Sequence, residues 1–275
     1  MSRLMILFLA FFLSACERVN QETPARPERP ARIVSLDYCA DQYVLKLVDR
    51  DRILALSPDA GREFSYMRAA AAGVPTVRPN AEDVLILKPD LVVRSYGGGP
   101  NAAAFFEKAG VPVVDIGWTP DIPSVMENTQ RIADALGESE RGAAVNEDMQ
   151  DRLARLKKRN TGETALYMTP AGVTTGPGSL IHEMIVAAGL TNMEDQYGWR
   201  SLPLETLAYE KPDVVAAAFF GSRTNHPDAW SPMKHPVAKA QLTQSEVVSL
   251  EGAWTSCSGW FLMDAIEALA GGETQ

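Results

Sequence analysis

The sequence predicts an α/β protein of two Rossmann-like lobes with parallel sheets, joined by a long interdomain helix, with a ligand cleft between the lobes. Three observations predict it. One phrase occurs twice at the same internal spacing: Glu82, five residues, Lys88-Pro89-Asp90 and the apolar run Leu91-Val92-Val93, then Glu205, five residues, Lys211-Pro212-Asp213 and Val214-Val215-Ala216. Strand-like and helix-like segments alternate on both sides of the chain's middle, which implies parallel pairing and right-handed crossovers. Between the two alternating regions the pattern is wholly helical.

The elements follow in order. Arg32-Ile33-Val34-Ser35-Leu36 reads as a first strand, Asp41 to Val48 as a helix and Ile53 to Leu56 as a second strand. In the repeated phrase the apolar residues between Glu and Lys suit a short helix. Lys favours its C-terminal end and Pro forbids its continuation, so the β-branched run that follows is a buried strand. A helix around Ala102 to Ala109 separates that strand from another at Val111 to Ile116. From Ile122 the chain is helical, with Gly137 as an interruption. Ser139 to Arg159 would span about 30 Å as one helix, long enough for a strut between lobes. Alternation then restarts with strand Thr164 to Met168, helix Ser179 to Ala188, repeat helix Glu205 to Glu210, strand Val214 to Phe219, strand Glu246 to Leu250 and a closing helix from Gly259 to Ala270. The implied divisions are a lobe at 32–120, a helical segment at 121–160 and a second lobe at 161–275.

The N-terminus reads as a targeting segment over residues 1–16. Arg3 gives a positive start, Leu4 to Leu13 are all apolar, and Leu13-Ser14-Ala15-Cys16 closes the run with small residues. Ten apolar residues are too few to span a bilayer as a lasting helix. The closure resembles the bacterial lipobox, which would make Cys16 the lipid-bearing first residue of an exported protein. Ordinary signal cleavage nearby is the competing reading. Residues 17–31, rich in Pro and charge, read as a flexible tether. Hydrophobic content of 46% suits a globular body, and a net charge of -9 argues against nucleic acid as a partner. An acidic body with two marked carboxylates suits a partner rich in Arg. Beyond Cys16, only Cys39 and Cys257 remain. They are either one disulfide joining the first lobe to the C-terminal segment, or two separate buried residues.

In open parallel sheets, ligands bind beyond the carboxyl ends of the strands. The corresponding loops carry Tyr38, Tyr96, Trp118, Trp199, Arg200, Arg223 and Trp254 beside many Gly. Flat rings and a few Arg donors suit a bulky, partly apolar, anionic ligand. Any one ring could equally pack inside, and Arg200 and Arg223 could be ordinary surface residues. Glu82 and Glu205 are candidate docking carboxylates, although an acid in a helix's first turn is favoured by the macrodipole alone, and Asn80 could cap the helix of Glu82.

Taken together, the opening Arg32 to Leu36, both Glu…Lys-Pro-Asp phrases, the central helical stretch and Ala188-Gly189-Leu190-Thr191-Asn192 resemble the periplasmic binding proteins of iron-siderophore, haem and cobalamin ABC importers. The likeness covers about Arg32 to Ala270. It implies a bilobed fold with one rigid interdomain helix, no catalysis, and one Glu on each lobe docking onto Arg residues of the permease. The matching positions are Glu82 and Glu205. The expected protein is a monomer without a resident cofactor or metal, and the lipobox likeness makes its lipid the only hold on the membrane. The cargo would be a metal chelate, a ferric siderophore or a cobalamin-like corrinoid in preference to haem.

An exported α/β enzyme acting on an anionic small molecule is the alternative. Gly176-Pro177-Gly178-Ser179-Leu180-Ile181-His182-Glu183 holds a Gly-rich turn at a helix start, but lacks the Lys and spacing of a P-loop, the form of a nucleophile elbow and the second His of a metalloprotease. Ser179 fits better as a helix N-cap. The histidines, His182, His226 and His235, are too few and scattered for a zinc cage.

Overall fold

The computed structural model describes residues 28–159, 162–218 and 231–271. The targeting segment, Cys16, Arg223 and His226 lie outside the described residues. In chain order the first lobe holds β1 (Ile33–Ser35), α1 (Tyr38–Leu47), β2 (Ile53–Ala55), α2 (Ala81–Ile86), β3 (Leu91–Arg94), α3 (Ala102–Lys108) and β4 (Val113–Asp115). Two helices follow, α4 (Ile122–Leu136) and α5 (Ser139–Arg155). The second lobe holds β5 (Thr164–Met168), β6 (Val173–Thr175), α6 (Leu180–Ala187), β7 (Thr191–Asn192), β8 (Trp199–Ser201), α7 (Leu204–Leu207), β9 (Val214–Ala217), α8 (Pro236–Gln244), β10 (Glu246–Ser249), α9 (Gly252–Thr255) and α10 (Leu262–Leu269).

Two separate four-stranded sheets result, β2-β1-β3-β4 and β10-β9-β5-β7, and every pairing within them is parallel. Read from its outer strand, the second is β7-β5-β9-β10. That is the order of the first, with β5 standing for β1 and β9 for β3. The repeated Asp explains part of the match. Asp90 accepts hydrogen bonds from the Ala31 and Arg32 amides at 2.8 and 2.9 Å, and Asp213 accepts from the Thr164 amide and hydroxyl at 2.8 and 3.0 Å. Each carboxylate thus ties the entry of its own strand to the entry of the neighbouring parallel strand.

Side chains alternate across a strand, and the central strands β1, β3, β5 and β9 are buried on both faces, as parallel sheets require. Ile33, Leu91 and Val93 of the first sheet share one continuous core with Ala165, Tyr167, Val214 and Ala216 of the second, through α4, α5 and α10. The opposite faces are covered separately. Val34, Leu36 and Val92 pack under Val84, Ala102 and Phe106, while Leu166, Val215 and Ala217 pack under Leu207 and Ala238. The lobes are therefore fused along their inner faces.

The strut is α5. Asp121 and Ser124 form a capping box at the start of α4, and Gly137 ends that helix at φ 71°, where a Cβ would lie 2.7 Å from the Glu28 carbonyl oxygen. The chain then turns into α5, which rises about 25 Å over its length. At its start Arg141 donates to the Leu47 carbonyl at 2.7 Å and to Asp49 at 2.5 Å. Near its end Arg152 grips Asp264 at 2.6 Å and Glu267 at 2.8 Å. The expected helix to Arg159 is corrected: α5 stops at Arg155, the Leu156 backbone is extended, and Arg159 instead bonds the Leu269 carbonyl and Glu246. The end of the expected tether is corrected too. Arg29 pairs with Asp49 and Glu138, and the Pro30 carbonyl accepts from Arg52, so residues 28–31 are fastened to the first lobe.

Candidate functional site

The segments that leave the carboxyl ends of β1 and β10 are joined at one covalent point. Cys39 lies in the first turn of α1, the helix after β1, Cys257 follows α9, the helix after β10, and the structure bonds them with their Cα atoms 5.5 Å apart. The loops beyond both sheets therefore border a common space.

On the first lobe that border is organised by Asp37, a residue the sequence reading passed over. One carboxylate oxygen caps α1 by accepting from the Ala40 amide at 3.0 Å. The other accepts from the amides of Ser95, Tyr96 and Gly97 at 2.7, 3.1 and 2.9 Å. A buried carboxylate with four N–H donors locks two loops together. Gly97 completes the fit, since a Cβ there would sit 2.5 Å from the Leu36 carbonyl oxygen. The sequence signal for this was available: Asp followed three residues later by a helical amide is a capping pattern. Its second oxygen was not legible, because its partners lie 58 to 60 residues away.

Tyr38 and Tyr96 are consequently brought together. Tyr38, the first residue of α1, stands edge-on to Tyr96 with ring centroids 6.0 Å apart, and edge-on to Phe64 at 4.7 Å. Phe64 lies in a segment without regular structure and carried no sequence signal. Burial first, then the nearby Asp37 and Asp59 charges, raise the Tyr38 phenol above its ordinary range. Burial first, then Tyr38 and Asp37, raise Tyr96. Both phenols therefore stay protonated and can donate hydrogen bonds to ligand oxygens. Tyr96 is 55% exposed and Trp118, after β4, is 75% exposed. Arg131 holds the Trp118 loop by donating to the Asp115 and Ile116 carbonyls at 2.8 Å each. Arg94 is internal: it bonds the Gly97 and Gly99 carbonyls and Asp115 at 2.9, 3.1 and 3.0 Å. Beneath these rings Asp41 is buried, accepting from the Ser57 amide and hydroxyl at 3.1 and 2.6 Å, and burial pushes its carboxyl up to about 6.

On the second lobe Trp199 and Arg200, expected on a strand-end loop, instead lie in β8 of an antiparallel ribbon with β6, in which Thr174 faces Arg200. Alternating short polar and aromatic residues gave too little periodicity to show it. Trp199 projects from this ribbon, 55% exposed, with its edge against Tyr167 at 6.0 Å. Arg200 does not stand free: its guanidinium lies 3.4 Å from the buried Glu194 carboxylate. Trp254 is half-buried against the common core rather than displayed. Ser179 caps α6, accepting from the His182 amide at 3.2 Å and donating its hydroxyl to the Gly176 carbonyl at 2.9 Å. That hydroxyl is occupied structurally, and His182 faces Asn192 at 3.2 Å.

The two repeated glutamates are both exposed. Asn80 does cap α2, its side chain accepting from the Asp83 amide at 2.9 Å. The Pro79 carbonyl, just before it, comes within 3.2 Å of where a Gly98 Cβ would sit, so the Glu82 end of α2 abuts the loop after β3. Leu202, just before α7, donates its amide to the Gly172 carbonyl in the turn after β5. Both glutamates thus stand at the carboxyl edge of their own sheet. Among the described residues no group of three or more His, Cys, Asp or Glu is gathered as for a metal ion, and no helix is long and apolar enough to cross a membrane.

Residues 33–227 match the family described as periplasmic binding protein, and the chain belongs to that family. Its members are substrate-binding proteins of importers, not catalysts. No curated protein matches the sequence. Among solved structures, the chain is similar to a periplasmic heme binding protein from Pseudomonas aeruginosa, with 22% identity over 88% of this chain and 92% of that one and a TM-score of 0.65. It is also similar to the periplasmic vitamin B12 binding protein of Vibrio cholerae, at 19% identity, 89% and 97% coverage and a TM-score of 0.65. A possible iron-binding periplasmic solute-binding protein from Staphylococcus epidermidis ATCC 12228 gives 16% identity, 88% and 98% coverage and a TM-score of 0.68. These likenesses establish the two-lobed fold.

Proposed function

We propose that this chain is the substrate-binding component of an ABC importer that captures a metal chelate between its lobes and delivers it to the permease. The observation that carries the reading is the ring-lined edge of the first lobe. On the first lobe Asp37 holds the loops of Tyr38 and Tyr96 and Arg131 holds the loop before Trp118, and on the second lobe Trp199 stands exposed on the β6–β8 ribbon. Rings with neutral phenol donors suit the flat, partly apolar face of a ferric siderophore or a cobalamin-like corrinoid. Haem is the less favoured cargo. Among the described residues, Arg94 and Arg200 are engaged within the fold and are not free to pair with its two carboxylates. Arg223 remains a candidate contact from the sequence.

Ligand bridging the lobes favours the closed form by its differential affinity. Glu82 and Glu205 then present two carboxylates to Arg residues of the permease, consistent with their exposure at matched positions. Residues 1–16 are a lipoprotein signal peptide in this reading, and Cys16 carries the lipid that holds a monomer at the membrane of the periplasm. Residues 32–120 and 161–275 are the lobes, joined through 121–160.

The test is the visible spectrum and native mass spectrum of the tagless mature protein, before and after addition of haemin, cyanocobalamin and a ferric hydroxamate. A retained or added chelate bound one to one, with Tyr96→Ala and Trp118→Ala weakening it, is the expected result. Failure to bind any of the three, or turnover of a small molecule lost in Ser179→Ala, would overturn the reading in favour of the enzyme.

A further inference from the structure

Each copy of the repeated phrase carries, four residues after its glutamate, a large apolar side chain that the fold leaves in solvent. In the first lobe this is Ile86, 76% exposed, and in the second Tyr209, 91% exposed. The positions between them keep one register. Val84 and Leu207, two residues after each Glu, are buried, as are Pro89 and Pro212, while Lys88 and Lys211 are exposed. A spacing of four places Glu82 and Ile86 on the same face of α2. The turn of α7 continues past its end, since the Tyr209 and Glu210 amides both donate to the Thr206 carbonyl at 3.0 and 2.9 Å, so Glu205 and Tyr209 are stacked alike.

A single exposed apolar residue is ordinary on any surface. Two at the same place in two copies, each one turn from an exposed acid, are a pattern. The residues differ in identity, Ile against Tyr, and agree in chemistry. Helix geometry alone does not call for it, because a polar residue at that solvent-facing position would cost nothing. Nor does the core, which is served by Val84 and Leu207.

Resting on the reading above, we propose that Ile86 and Tyr209 are apolar anchors that dock with Glu82 and Glu205 onto the importer's transmembrane subunits. The partner surface that fits is one presenting a basic-rimmed apolar recess twice. Charge complementarity sets the approach, and the apolar pair sets the residence time. A carboxylate pair at an interface steers approach and fixes register in a way that salt screens, whereas an apolar side chain seated in a recess dissociates slowly. The glutamates therefore govern association and its salt dependence, and Ile86 and Tyr209 govern dissociation.

The experiment places a benzophenone amino acid at position 82, 86, 205 or 209 of the full chain, one at a time, in cells that express the importer. Illumination should give adducts from 86 and from 209 with the same polytopic membrane protein. With that protein solubilised, Ile86→Ser and Tyr209→Ser should each weaken docking about ten-fold. The loss should lie in the dissociation rate, with the salt slope and the melting temperature unchanged. Adducts from 82 and 205 without adducts from both 86 and 209 would overturn the anchors and leave the importer reading standing. Absence of adducts from all four positions would overturn the docking face as a whole. A loss confined to the association rate would also overturn the anchors.

Discussion

The two lobes share a sheet order and differ in what they hang on it. In the first lobe every strand is parallel and the cleft edge is built from loops pinned by one carboxylate, Asp37. In the second the equivalent edge carries an inserted antiparallel ribbon, β6 with β8, and its buried acid, Glu194, accepts from the nearby Gln196 amide at 3.0 Å and from Arg200 at 3.4 Å instead of tying two distant loops together. The repeat helices differ as well. Six residues of α2 are capped by Asn80 and left through Lys88 at φ 49°, while four residues of α7 follow Pro203 without a side-chain cap. What the lobes hold in common is the exposed Glu, the buried apolar residue after it, and the Asp that fastens neighbouring strands. The scaffold and the outward face are duplicated, and the ligand side is where the halves diverge. That division is expected if one partner meets both halves alike while an asymmetric cargo meets each half differently.

The comparison can be broken in three places. The largest effect is expected from changing Glu82 and Glu205 to Ala together, which should abolish cellular uptake of the bound chelate while its affinity for the purified protein is unchanged. Uptake that survives the double change means the duplicated glutamates have no shared role. A smaller effect belongs to Asp41, for which the second lobe has no equivalent, as the buried residues of α6 are Ile181, Met184 and Ile185. Its carboxyl is raised from 3.8 to about 6, so between those values the folded chain keeps a proton that the unfolded chain has released. Stability from this group is present below pH 4 and lost as pH rises through 6. Asp41→Asn should flatten that dependence by up to about 3 kcal/mol between pH 4 and 7, read by urea unfolding. A variant as pH-dependent as the parent would show that this carboxyl is not the source.

The smallest and most direct test compares Asp90→Ala with Asp213→Ala. Each loses two hydrogen bonds to a neighbouring strand entry, and each should cost about 1–2 kcal/mol, measured by the same unfolding assay. Equal losses would sharpen the equivalence of the lobes. If one change is silent, the repeated Asp serves the fold in one lobe only.

Much of the scaffold was legible because it is local. The β-branched runs of β3, β5 and β9, the proline stop after each repeat helix and the cap at Ser179 are all read within a few residues. Element ends were less so. Arg159 was counted into the strut because nothing in Leu156 to Arg159 forbids helix, yet its guanidinium is taken by Glu246 and Leu269, which draw the chain away. On the site, Tyr96, Trp118 and Trp199 are exposed beside their strands, while Arg200 lies against Glu194 and Trp254 against the common core, contacts that no local sequence pattern marks. Phe64 and the second role of Asp37 had no local signature.

The sequence by itself determined that the chain alternates strand and helix twice around a helical middle, and that Glu, Lys, Pro and Asp recur in one register. Those features rest on backbone preferences and spacings shorter than a helix turn or two. Only the tertiary structure decided that Tyr38, Phe64 and Tyr96 meet, that Cys39 reaches Cys257, and that Ile86 and Tyr209 are left uncovered. Each of these depends on contacts between segments far apart in the chain, and on which faces remain once the shared core is filled.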